Sequence, residues 1–220
     1  MRQFDREMQA VLERLARGGE RPGLLLHVCC APCSSAVLER LHQAFRVQLF
    51  FDNPNMDSAG EFARRLAETR RLAEETGWAE AVLEAPYQPE TWREAVRGLE
   101  GEPEGGRRCA ACFALRLANA AREAKVRGCA CFTTTLTLSP RKDAALLNRI
   151  GEEAGAAAGI PFLASDFKKR GGYPRSIELS RLHGLYRQDY CGCVYSKIER
   201  DKRRESCKGQ AQCEGKDRSG

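Results

Sequence analysis

The 220-residue chain predicts an α/β fold, a Rossmann-like parallel sheet with helices on both faces. Three observations carry that expectation. Short apolar runs alternate along the whole chain with segments whose apolar residues recur at helical spacing. Glycine or proline punctuates the junctions, as at Pro22-Gly23, Gly77 and Pro140. Hydrophobic residues make up 42% of a 24.5 kDa chain, enough to bury one proper core.

Residues 3–17 read as an amphipathic helix with Phe4, Met8, Val11, Leu12 and Leu15 on one face. Leu24 to Val28 follows as a buried strand. Ser34-Ser35 then leads into a helix carrying Val37, Leu38, Leu41 and Phe45. Val47 to Phe51 is a second strand, and Asp52-Asn53-Pro54-Asn55 a turn. Ser58 caps a long helix to Thr76, which Gly77 ends. Val82-Leu83 lies in a third strand, residues 89–98 form a short helix, and Gly101 to Gly106 a loop. A helix from Arg108 to Val126 precedes a fourth strand, Cys129 to Thr133. Pro140 leads to a helix over 142–158, Ile160 to Leu163 is a fifth strand, and Pro174 opens a helix to Leu185. Residues 1–200 are expected to be one α/β metalloenzyme domain. Within it, 1–20 is an N-terminal helix and 165–200 a basic, cysteine-containing helical extension. Residues 201–220 are expected to be a flexible charged tail.

The net charge of +6 is unevenly placed. Residues 165–204 hold 11 Lys/Arg against 5 Asp/Glu, and the rest of the chain balances. A basic field beside a reactive centre suits a polyanion such as RNA; the plainer alternative is a solvated basic helix. No apolar run approaches a membrane span and no secretory h-region is present, so a cytoplasmic protein is expected. In that compartment thiols stay reduced, and eleven cysteines speak for metal binding or redox chemistry rather than disulfides.

Seven of those cysteines fall in three groups: Cys29, Cys30 and Cys33; Cys109 and Cys112; and Cys191 and Cys193. Each spacing lets one element present two soft ligands to a metal centre. Together they exceed the four ligands of a zinc site or a cubane cluster. The surplus suggests a cluster plus a second centre, or one metal plus a redox pair. The first group leaves the end of the first strand, where such sheets bind ligands and a nucleotide-binding protein would place glycines. No G-x-G-x-x-G or G-x-x-x-x-G-K-[ST] is present. Cys33, at a helix start, is expected to be favoured as a thiolate. Cys109 and Cys112 sit a helical turn apart, and Gly192 permits the tight backbone between Cys191 and Cys193. Cys129 and Cys131 read as core packing, and Cys207 and Cys213 carry no role. His27 lies beside the thiols, either lining the site or satisfied in the core; His42 and His183 read as helix surface. Strand-end loops at Thr133-Thr134-Thr135 and Asp166-Phe167-Lys168-Lys169 offer polar groups, for a ligand or merely for solvent.

Taken in order, several stretches resemble one family: Leu25 to Cys33, Asn53-Pro54-Asn55, the Cys109/Cys112 pair, Thr133 to Leu136 with Ser139-Pro140, Asp166 to Lys169, and Leu185 to Cys193. Over about residues 22–198 the chain resembles the cobalamin-independent epoxyqueuosine reductases, the QueH family. The resemblance implies a HUP-type Rossmann-like fold and reductive deoxygenation of epoxyqueuosine to queuosine at the wobble position of tRNA. It implies a 4Fe–4S cluster beside a second, mononuclear iron held by cysteines and a carboxylate or similar ligand. Carried over, Cys30, Cys109 and Cys112 would hold the cluster with Cys29 as the fourth ligand, a place open to Cys191 in exchange. Cys33, Cys191 and Cys193 would hold the iron, with Asp52, Asp166 and Asp189 as carboxylate candidates. Tyr190, Lys168 or water would supply a proton. With no flavin or nicotinamide site in the sequence, electrons would come from an external donor. The competing readings are a zinc-stapled RNA-binding module without catalysis and a thiol–disulfide oxidoreductase using C-x-x-C.

Overall fold

A computed structural model describes residues 2–216, with side chains through residue 206. Helix α1 (Phe4–Gly18) precedes strand β1 (Gly23–Val28), helix α2 (Ala31–Leu41) and strand β2 (Arg46–Phe51). Helix α3 (Ala59–Thr76) is capped by Ser58, whose hydroxyl accepts from Glu61 N, and ends at left-handed Gly77. Strand β3 (Ala81–Glu84), α4 (Pro89–Ala95), α5 (Arg107–Val126) and β4 (Cys131–Thr134) follow. A 3-10 turn over Thr135–Leu138 leads to α6 (Ala144–Ala158), α7 (Gly172–Leu182) and α8 (Val194–Lys216). None of the described helices is long and apolar enough to cross a membrane.

The four strands are parallel, in the order β3-β2-β1-β4. Alternation along β1 divides the core. Leu24, Leu26 and Val28 pack with α1, α2 and α3 on one face, while Leu25 packs with Ala120, Ala121 and Ala124 of α5 on the other. The chain leaves β1 toward β2 on one side and returns to β4 on the other. Beyond the carboxyl ends of β1 and β4 the order reverses, and such reversals open ligand crevices. The three cysteines after β1 sit there.

Two elements differ from expectation. The fifth strand is reduced to one parallel bridge, Phe132 to Phe162. Pro161 has no N–H to extend a ladder, so the segment only accepts from Phe132 N at 3.1 Å and donates from Leu163 N at 2.8 Å. Helix α2 begins at Ala31 rather than after Ser34-Ser35, because Pro32 suits a first turn. Cys30 is therefore its N-cap residue, and Cys33 lies inside its first turn. The backbone over 201–216 is helical. The rest of the expected tail, the side chains of Cys207 and Cys213 included, lies outside the described residues.

Candidate metal centre

Cys29, Cys30 and Cys33 place their sulfurs within 4.8 Å of one another, and the first two are 3.7 Å apart. Cys29 Sγ also lies 3.7 Å from Thr135 Oγ1 at the end of β4. Hydrogen bonds from the Cys30 and Cys33 thiols hold the Cys29 thiol well below its usual range, against burial and with help from Lys142 and Arg116. Cys30 is pushed up to about 12, first by its bond to Cys29, and Cys33 rises well above the usual range for the same reason. Among the three, charge is therefore favoured on Cys29, which accepts from both neighbours, while Cys33 lies in the first turn of α2.

The C-x-x-C pair occupies the first turns of α5 as expected. Gly105 N donates to Cys109 Sγ at 3.2 Å. Cys112 packs with Cys193, Trp92 and Val96 in one apolar cluster. Burial pushes Cys112 up to about 11 and raises Cys109 and Cys193, and charge on Cys191 adds to all three. Gly192 adopts φ 126°, the left-handed side that the tight Cys191-Gly192-Cys193 backbone needs. Its carbonyl accepts from Asp57 N at 2.8 Å, which pins this segment to the loop after β2.

The first and third thiol groups meet at a cavity of about 250 Å³ whose walls include Cys29, Cys33, Cys191, Lys142, Asp189 and Tyr190. Burial works against charge on Lys142, but Cys191, Cys29 and Cys33 outweigh it and raise its pKa. Two arginines are fully buried behind the sulfurs. Arg116 donates to Asp52 O at 3.3 Å and to Asn53 Oδ1 at 2.5 Å. Burial disfavours its charge, yet Cys112, Cys29, Cys191 and Asp52 hold its pKa up. Arg65 donates to Glu61 at 2.6 Å and to Cys191 O at 3.0 Å. Arg65 Nη2 and Trp92 Nε1 are buried without a hydrogen-bond partner. Buried N–H donors left open beside thiols suit thiolate or sulfide acceptors. Seven free thiols, cationic neighbours and open donors fit a thiolate-held metal group.

The remaining expected residues divide. Tyr190 lines the cavity and donates to Asp57 at 3.0 Å; burial, then that bond, raises its pKa. Asp189 lines it too, paired with Arg200 at 2.6 Å. Lys168 does not: its ammonium donates to the carbonyls of Thr137 at 3.2 Å and Lys142 at 3.3 Å, and it lies 3.2 Å from Asp166. Asp52 is buried against Asn119, which donates to it at 2.7 Å. The hydroxyls after β4 are mostly spent inside. Thr133 donates to Leu163 O at 2.9 Å, and Thr134 lies 2.8 Å from His27 Nδ1. His27 is fully buried and satisfied, and burial pushes its pKa down to about 3. Cys131 packs against the core, with burial raising its pKa to about 12.

Known proteins place this arrangement. The family model described as epoxyqueuosine reductase QueH matches residues 24–199. The epoxyqueuosine reductase QueH of Staphylococcus epidermidis is 39% identical over 202 residues, covering 89% of this chain and 85% of the relative. That of Streptococcus pyogenes is 41% identical over 197 residues, covering 88% and 77%. That of Thermotoga maritima is 35% identical over 180 residues, covering 80% and 91%. The matched segment runs from β1 into α8 and spans all seven grouped thiols of this chain, and the relatives match over most of its length: the chain belongs to the epoxyqueuosine reductase QueH family.

Proposed function

We propose that the chain removes the epoxide oxygen of epoxyqueuosine at the wobble position of tRNA, with a 4Fe–4S cluster and an adjacent iron held by its seven grouped thiols. Family membership makes it an oxidoreductase of queuosine biosynthesis, an epoxyqueuosine reductase. The observation that carries the metal reading is convergence. Cys29 and Cys33 of the first group meet Cys191 of the third at a cavity that also holds a cation and a phenol, and Cys112 of the second group packs against Cys193.

The reaction converts an epoxide to an alkene, consumes two electrons and two protons, and releases the oxygen as water. When bound, the metal group supplies one-electron transfer and Lewis acidity. The chain supplies the rest. The cavity takes the epoxide-bearing ring, and Lys142 sets a positive wall where the oxygen gains negative charge. Tyr190 keeps its proton at Oη, held toward Asp57, and is the proton donor that the cavity favours over Lys168. Lys168 instead ties the Lys142 carbonyl in place. Electrons arrive from an external donor, and a tRNA substrate sets the enzyme in the cytoplasm.

In this reading Cys29, Cys30, Cys109 and Cys112 hold the cluster and Cys33, Cys191 and Cys193 the iron, with Asp189 the carboxylate nearest to hand. In that partition only the first group is shared, with Cys29 and Cys30 on the cluster and Cys33 on the iron, which sets the two centres side by side. The closeness of the Cys29, Cys30 and Cys33 sulfurs and the packing of Cys112 against Cys193 suggest a second partition, with the first three on one centre and Cys109, Cys112, Cys191 and Cys193 on the other. Cys193→Ala decides between them. The first partition expects it to keep the 4Fe–4S absorption and lose roughly one iron of about five, together with turnover. The second expects a bleached protein. Full turnover in this variant would sink both.

A further inference from the structure

A second cavity, of about 820 Å³, opens on the other side of Lys142. Its walls are the start of α1, the start of α6 and the Asp166–Arg170 loop, and Lys142 lines both cavities. A volume of this order suits a ligand of nucleotide size. The α1 wall precedes the segment that the family model matches.

Its charges do not cancel. Arg2, Arg6, Lys142, Lys168, Lys169 and Arg170 face only three carboxylates, Asp5, Asp143 and Asp166. Those three are already engaged. Asp5 binds Arg40 at 2.8 Å and Arg170 at 2.9 Å, Asp143 caps α6 through Ala145 N at 2.7 Å, and Asp166 lies 3.2 Å from Lys168. Arg2 pairs with Glu7 and Glu152. Arg6, Lys142 and Lys169 remain without a carboxylate partner among the described residues. Phe4 adds a half-buried aromatic ring, with the Arg2 guanidinium 5.0 Å from its centroid. Free cations beside an aromatic ring are what single-stranded nucleic acid uses: phosphates meet the charges and a base stacks on the ring.

We propose that this cavity is a nucleotide subsite that takes the neighbour of the reacting nucleoside, its phosphate on Lys169 and Arg6 and its base on Phe4. The subsite rests on the proposed tRNA substrate. It extends the basic surface beyond residues 165–204 to the N-terminal helix. Lys168 is not counted among the phosphate contacts, because backbone carbonyls and Asp166 already hold that ammonium.

The test compares iron-loaded wild type with Arg6→Gln/Lys169→Gln and with Phe4→Ala, under anaerobic conditions. Each is titrated with a fluorescent anticodon stem-loop carrying epoxyqueuosine, across a salt series. The double variant is expected to bind about tenfold more weakly at low salt, with a log–log salt slope shallower by roughly 1.4. Phe4→Ala is expected to raise Kd by about fivefold or more without changing that slope. Iron content and melting temperature, measured on the same samples, should match wild type for the double variant. Wild-type affinity and slope in the double variant overturn the subsite and leave the proposed reaction standing. A wild-type protein that binds no stem-loop at any salt overturns both.

Discussion

Gly192 holds Cys191 and Cys193 apart at φ 126°, and a Cβ there would meet Arg65 Nη1 at 3.3 Å and Asn55 Nδ2 at 3.5 Å. Gly192→Ala is therefore expected to cost about 1–3 kcal/mol and to misplace both sulfurs. Thermal melting and iron content of the reconstituted variant check this, and unchanged values in both would contradict it. The thiols themselves were legible from spacing alone. Their electrostatic partners were not, since an arginine or lysine on an amphipathic helix reads as surface. One signal existed: Arg116 lies four residues after Cys112 and so shares its helix face. Nothing local marked Arg65, which the distant Cys191 segment covers, or Lys142, which lines a cavity with the distant Cys29 and Cys191. The inward hydroxyls of Thr133 and Thr134 were hidden for the same reason, because their partners lie at Leu163 and His27.

At the scale of elements, strands β1 to β4 and the caps at Ser58 and Gly77 follow from apolar runs and turn chemistry. The misreadings both involve proline. Pro32 opens α2 early, and Pro161 leaves a fifth strand only its bridge. Helix α1 is fastened by Asp5, which holds Arg40 of α2 and Arg170 of the loop before α7. Partial burial pushes the Asp5 carboxyl up, but bonds from Arg40 and Arg170 outweigh it and hold its pKa below the ordinary value. The stabilisation is thus full above about pH 4 and is lost as pH falls further. Asp5→Asn should cost about 2 kcal/mol at pH 7, and the gap to wild type should shrink by pH 3. Urea unfolding at the two pH values measures it; a gap that widens in acid would contradict the assignment. Close approach matters on α6 as well. A Cβ at Gly151 would meet the Phe162 ring at 2.5 Å. Gly151→Ala should lower stability by about 1–3 kcal/mol, read from the urea midpoint, by pushing α6 off the bridge segment.

For the whole molecule, the sheet order β3-β2-β1-β4 puts the crevice beyond β1 and β4. Helix α5 and the start of α8 bring Cys112 and Cys193 into one cluster, so two thiols far apart in sequence pack together. The alternation of elements told of the sheet, but the place of the Cys191–Cys193 segment comes from its bonds to Asp57 and Arg65, which are far away in sequence. The central claim is that these thiols hold the metal group that reduces the epoxide. It is tested most directly on anaerobically reconstituted wild-type protein, by iron and sulfide content together with mass spectrometry of epoxyqueuosine tRNA after incubation with a chemical reductant. The account predicts a brown protein with about five iron atoms per chain and a nucleoside lighter by one oxygen. A colourless zinc protein, or an iron-loaded one that leaves the epoxide intact, would contradict it.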